Sequence, residues 1–181
     1  MNAKITKMNR IGIVFILILL VSFFSGCIDT PEDNQPKTDF TFTTLEGVQQ
    51  NLSDFYGKII LVDLMAVNCQ PCMYQMFELK KISENYSHDD VAILSIDVWI
   101  RLGETPELLL EYINAFQQQV NITLDWTFGV DDTVGSIEQI YAKNGVPTLY
   151  IFDTNGNIYY TKVGYEPYST LKGKLDELLN S

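Results

Sequence analysis

The stretch Asp63–Gln75 reads DLMAVNCQPCMYQ. Cys69 and Cys72 stand two residues apart around Gln70-Pro71, where an apolar run gives way to helical spacing. Such a pair can hold a metal, staple a loop or pass electrons. A metal is the weaker reading. Structural zinc takes four protein ligands, and catalytic zinc takes three plus an open position. Near this pair the sequence offers two thiols, with a single histidine, His88, in the polar run SHDD, where it reads as a solvated surface residue. An inert staple is also weak, because so small a loop removes little chain entropy.

The redox reading has more support. Ile59–Leu64 (IILVDL) is apolar except for Asp63, the pattern of a strand covered on both faces. It runs into Cys69, where a helix starts: Pro71 suits a first turn, and Met73, Met76, Phe77, Ile82 and Tyr86 follow mostly at helical spacing. Helix N-terminal amides and the helix dipole favour an anion there, which lowers the pKa of Cys69 and makes it the attacking thiolate. Cys72, one turn deeper, would then be the resolving cysteine. Asp63, six positions before Cys69, reads as a buried acid with a raised pKa that exchanges protons with Cys72. The alternative is an edge strand with Asp63 in water.

Further out, FTFTT at Phe40–Thr44 alternates like an exposed strand, and Leu52–Phe55 with Gly57-Lys58 reads as a turn. Val91–Trp99 reads as a second buried strand. Thr105-Pro106-Glu107 opens a helix bearing Leu109, Tyr112, Ile113, Phe116 and Val120. A third helix is predicted over Val134–Lys143, ended by Asn144-Gly145. Thr148–Phe152 and Ile158–Val163 flank the turn signal DTNGN and form an antiparallel hairpin. Leu171, Leu175 and Leu178 stripe a last helix. The predicted order is βαβαα-ββα behind an N-terminal hairpin. It implies an α/β fold with a mixed sheet and helices on both faces.

The chain has 181 residues, enough for one such domain, and a net charge of −11, which argues against a nucleic-acid partner. Residues 1–26 differ from the rest. Lys4, Lys7 and Arg10 precede an apolar run, Ile11–Phe24, of signal-peptide length. That run ends in Phe24-Ser25-Gly26-Cys27, which resembles the lipobox of prokaryotic lipoproteins, with Phe24 where leucine is usual. By that resemblance residues 1–26 are a lipoprotein signal peptide and Cys27 the lipid-attachment site. An uncleaved anchor helix is the alternative. Either places the globular part on the extracytoplasmic face of the cell membrane. Residues 27–38, polar and proline-bearing, read as a tether, and 39–181 as the domain. Without residues 1–26 the chain holds 9 basic against 23 acidic residues, a net of −14. With Cys27 lipidated, Cys69 and Cys72 are left as a single pair. Asn51, Asn85 and Asn121 lie in Asn-x-Ser/Thr sequences, which matter only where surface proteins are glycosylated.

Asp63, Cys69-Gln70-Pro71-Cys72, Gly145-Val146-Pro147-Thr148 and Asp153-Thr154-Asn155-Gly156 occur in this order. The chain thereby resembles the thioredoxin-like proteins, in particular the membrane-anchored TlpA/ResA-type thiol-disulfide oxidoreductases. The resemblance implies a thioredoxin fold with an N-terminal β-hairpin and an insertion after the second core strand, around Trp99–Asn121. It implies Cys69 as attacking cysteine, Cys72 as resolving cysteine and Asp63 as the buried acid. It makes Pro147 a cis-proline facing the disulfide, and Val146, Pro147, Gln70 and Pro71 substrate-binding positions. No cofactor is implied beyond the Cys69–Cys72 couple and no metal. The partners implied are thiol or disulfide proteins as substrates and a membrane electron donor. The direction implied is reductive, with an oxidase or isomerase as the alternative. Asn68 stands where the family usually has tryptophan, and Gln70 replaces the common proline or glycine. A non-catalytic binding module displaying Trp99 and Trp126 is a rival of another class, although core packing explains those rings more simply. A peroxiredoxin would need a threonine two or three residues before its cysteine, which Ala66-Val67-Asn68 does not supply.

Overall fold

A computed structural model describes residues 39–181. The expectations for the signal segment 1–26, for Cys27 and for the tether 27–38 lie outside the described residues. Seven strands form one sheet: β1 (Thr41–Thr44), β2 (Gln49–Asn51), β3 (Ile59–Met65), β4 (Val91–Asp97), β5 (Thr127–Val130), β6 (Thr148–Phe152) and β7 (Ile158–Val163). Their order across the sheet is β2-β1-β5-β4-β3-β6-β7. The centre β5-β4-β3 is parallel, and every other pairing is antiparallel. Three α-helices connect strands, α1 (Gln70–Asn85), α2 (Pro106–Val120) and α3 (Ser136–Tyr141), and α4 (Tyr168–Leu179) follows β7. This is the thioredoxin-like arrangement, and α2 is the insertion after the second core strand.

The pleat of β3 divides the core. Ile60, Val62 and Leu64 join Ile137 of α3 and Leu52 of a short 3-10 turn on one face. Ile59 and Leu61 join Leu79 and Ile82 of α1 and Leu171 and Leu175 of α4 on the other. Met65, Cys72 and Met76 continue that second layer toward Leu109, Ile113 and Phe116 of α2. Because β3 is covered on both sides, it carries no polar residue except Asp63, which the site uses. α1 buries Cys72, Gln75, Met76, Leu79, Ile82 and Ser83, a stripe at helical spacing. α2 starts as its sequence dictates: the Thr105 hydroxyl accepts from the Leu108 amide at 3.2 Å, and Pro106 occupies the first turn.

Three expectations need correction. The sequence order lacks β5, which lies between β1 and β4. β1 is not an exposed strand, since β2 and β5 flank it and Phe42 and Thr44 are buried. α3 is shorter than Val134–Lys143, because Asp131 and Asp132 carboxylates cap its start and hold Val134 outside the helix. β5 depends on Gly129. A Cβ there would meet Phe42 Cδ2 at 2.6 Å and the Thr43 carbonyl oxygen at 2.8 Å. Gly129→Ala is expected to cost about 1–3 kcal/mol through forced repacking, read as a lowered urea midpoint with an unchanged slope.

Both tryptophans are half-buried against the core, Trp126 stacked on Phe128 at 5.3 Å. Asn51, Asn85 and Asn121 are exposed. Asn51 accepts from the Thr41 hydroxyl, Asn85 donates to the Lys81 carbonyl, and Asn121 closes α2 in a left-handed conformation. Among the described residues no helix is long and apolar enough to cross a membrane.

Candidate active site

β3 delivers the chain to Ala66-Val67-Asn68, and Cys69 then caps α1 in extended conformation. The Cys72 amide donates to Cys69 Sγ at 3.2 Å. Cys69 and Cys72 are joined by a disulfide, with Cα atoms 5.2 Å apart. The two sulfurs are not equivalent: Cys69 is 7% exposed, and Cys72 is fully buried. Only Cys69 can be reached by another molecule. No acidic side chain occupies the first turn of α1 to oppose an anion at its cap.

Pro147 precedes β6, whose Thr148 pairs with Leu64 at the end of β3. The antiparallel register therefore brings Pro147 to the same sheet end as the cysteines. The Val146–Pro147 bond is cis. Pro147 accepts from the Gly164 amide at 2.8 Å, and Val146 packs against the apolar cluster that contains Cys69 and Cys72. Gln70 and Pro71 are exposed beside Cys69, with Gln70 Nε2 donating to the Tyr74 hydroxyl at 3.3 Å.

Asp63 is fully buried at the middle of the sheet, opposite Ser95 on β4 and Leu149 on β6. It shares its face with Leu61 and Met65, so its carboxyl lies under the helices. Oδ2 accepts from the Ser95 hydroxyl at 3.2 Å, and that hydroxyl accepts from Trp126 Nε1 at 3.0 Å. Oδ1 is buried with no hydrogen-bond partner among the described residues. Burial pushes the Asp63 carboxyl up to about 7, and the Ser95 bond only partly opposes it. The edge-strand alternative for Asp63 does not hold.

Sequence reasoning missed several groups. Glu104 is buried after β4, and its carboxylate accepts from the amides of Val67 at 2.8 Å and Asn68 at 3.1 Å. It also accepts from Asn68 Nδ2 at 3.0 Å. Asp97, which ends β4, is pushed up to about 8 by burial, with Glu104 and Asp131 adding to the effect. Asp97 Oδ2 is buried with no hydrogen-bond partner among the described residues, while Oδ1 accepts from the Trp99 amide at 2.9 Å. Gln75, fully buried one turn past Cys72, donates to the Glu166 carbonyl and accepts from its amide. That bidentate pair fixes the segment Gly164–Pro167 beside α1. No local signal marks Glu104 or Gln75, whose partners lie 36 to 91 positions away. His88 is exposed, and its ring contacts the Ser83 hydroxyl at 3.3 Å. Among the described residues no group of three or more His, Cys, Asp or Glu side chains could hold a metal ion.

The sequence pattern of the Redoxin family matches residues 32–179. The chain belongs to that family. Thioredoxin-like protein YneN of Bacillus subtilis (strain 168) is 28% identical over 145 residues, covering 80% of this chain and 79% of that protein. Thiol-disulfide oxidoreductase ResA of Bacillus thuringiensis (strain Al Hakam) is 22% identical over 181 residues, covering 95% of this chain and 98% of its own. A thiol-disulfide isomerase from Corynebacterium glutamicum superposes with a TM-score of 0.69 at 20% identity, over 83% of this chain and 99% of that one. The exposed lipoprotein thioredoxin Etrx1 of Streptococcus pneumoniae strain TIGR4 gives 0.61 at 24%, over 78% and 100%. These solved structures establish the fold. With the relatives, they make this Redoxin member a TlpA/ResA-type thioredoxin-like protein, and its class of chemistry is thiol–disulfide oxidoreduction.

Proposed function

We propose that the domain reduces disulfides of partner proteins outside the cytoplasmic membrane through the Cys69–Cys72 couple. One observation carries this reading: a reachable sulfur caps a helix while its bonded partner is sealed beneath it. In the reduced protein the Cys69 thiolate attacks a substrate disulfide. A bond forms between Cys69 Sγ and one substrate sulfur, and the other substrate sulfur leaves as a thiolate. Cys72 then gives its proton to Asp63, and its thiolate attacks Cys69 Sγ. The Cys69–Cys72 disulfide forms, the second substrate sulfur leaves, and two electrons have passed to the substrate. A membrane electron donor must then return two electrons to the couple. Gln70 and Pro71, exposed beside Cys69, are where a substrate segment would meet it, with half-buried Val146 and buried Pro147 at the same sheet end.

The lipid anchor on Cys27, the tether 27–38 and the extracytoplasmic position rest on the sequence of residues 1–38. The pneumococcal neighbour, itself an exposed lipoprotein, accords with them. The direct test follows reduction of a model protein disulfide by the dithiol form in the presence of a regenerating dithiol. Turnover well above the dithiol alone is expected. A rate no higher than that background would refute the proposal and favour the binding-module reading.

A further inference from the structure

We propose that Glu104 is the positioning residue of the nucleophile, anchoring the loop before Cys69 and, as a fixed anion there, biasing the couple toward its disulfide form. This deepens the proposed reductive function and rests on it for its meaning, though not for its test. The geometry is specific. Ala66–Asn68 is the irregular turn between β3 and α1, and its conformation decides where Cys69 sits. Two consecutive amides of that turn, Val67 and Asn68, donate to the two oxygens of one carboxylate. The Asn68 side chain adds a third donor. Charge-assisted bonds of this kind are the stronger class, and this carboxylate is only 6% exposed.

The residue at 68 thereby acquires a reason. Asn68 can donate to Glu104 through its side chain, so Asn68 and Glu104 act as a set. Glu104 itself lies in the turn that leads from β4 into α2, so the inserted segment holds the active-site loop from behind.

Other titratable groups lie near Glu104. Asp97 at the end of β4 faces it, Asp131 follows β5, and Tyr112 reaches it from α2. Asp97 is pushed up to about 8, first by burial, and Tyr112 is neutral with its pKa raised by burial. Asp131 is held by three backbone amides of its own. The Glu104 carboxylate accepts all three of its bonds from Val67 and Asn68, and so sits against the residue that precedes Cys69. A buried negative charge beside a thiol disfavours the thiolate. Disfavouring the thiolate disfavours the reduced form, which leaves the couple the stronger reductant.

The test measures, in the full chain at pH 7, the equilibrium between the Cys69–Cys72 couple and glutathione. Thermal denaturation of each variant reports stability separately. Glu104→Gln is expected to shift the equilibrium toward the dithiol by roughly tenfold, about 30 mV for this couple. Asn68→Ala removes one of the three donors that hold the carboxylate against the turn, loosens its position beside Cys69, and is expected to shift it the same way by roughly threefold. A Glu104→Gln variant that loses thermal stability while its equilibrium stays unchanged would overturn the proposal and leave Glu104 a structural residue. Should Glu104→Gln fail to fold, Asn68→Ala decides, and an unchanged equilibrium in that variant overturns it. The comparison is between variant and parent. An oxidising parent would refute the reductive direction without touching the role of Glu104.

Discussion

Replacing Cys69 by serine is expected to lower thiol–disulfide exchange by roughly a thousandfold or more, to background, because the other described cysteine, Cys72, is fully buried. The fold should survive, since serine is a good N-cap and can accept the Cys72 amide as Cys69 Sγ does. Cys72→Ser should behave differently. Cys69 can still attack a substrate disulfide, but nothing then releases the product. The expected result is a stable mixed disulfide between the protein and its substrate, visible as an added mass on a non-reducing gel. That variant also buries a hydroxyl among Met65, Met76 and their neighbours, which costs about 1–3 kcal/mol of stability. A Cys69→Ser protein that accumulates mixed disulfide, with Cys72→Ser inert, would reverse the two roles.

Asp63→Asn should act on stability and rate in opposite senses. The carboxyl titrates at about 7 in the folded protein, against 3.8 for the unfolded chain. Below pH 3.8 both states are protonated and the difference contributes nothing. As pH rises from 4 through 7 the unfolded carboxyl ionises freely while the folded one resists, so stability is lost. The loss is complete above 7, at about 4 kcal/mol as an upper order of magnitude. Asparagine cannot ionise and avoids it. The variant should therefore melt roughly 10 °C above the parent at pH 8 and close to it at pH 4. Its exchange, however, should slow by a factor of about 100, because the proton of Cys72 has lost its acceptor. In the parent, release of the mixed disulfide should rise through about pH 7, and in the variant that rise should be absent. Equal release profiles in both proteins would show that Asp63 is a structural acid with no part in proton transfer.

These effects trace to features of unequal legibility. β3 could be read because burial on both faces demands an unbroken apolar run, and Asp63 stood out for the same reason. The start of α1 was legible in Cys69 and Pro71, and the β6–β7 hairpin in its Asn155-Gly156 turn. β5 was not. It is four residues long and contains Gly129, a residue that ordinarily weakens a strand. Gly129 is needed because Phe42 and the Thr43 carbonyl crowd it, a contact between segments 86 to 87 positions apart. Glu104, Ser95 and Gln75 were hidden for a related reason. Each is an ordinary polar residue until the fold brings it to Asn68, Asp63 or Glu166. Periodicity reports the environment of a segment along the chain, and these pairings are made across it.

The most direct test of the central claim is the reduction potential of the Cys69–Cys72 couple, obtained by equilibrating the protein in graded thiol–disulfide buffers and trapping free thiols at each point. A single two-electron transition near that of thioredoxin, about −270 mV, is the expected result for a reductant recharged by a membrane donor. A midpoint near −120 mV, the range of a strong oxidant, would contradict the reductive direction, and the lack of any reversible transition would contradict the redox function itself.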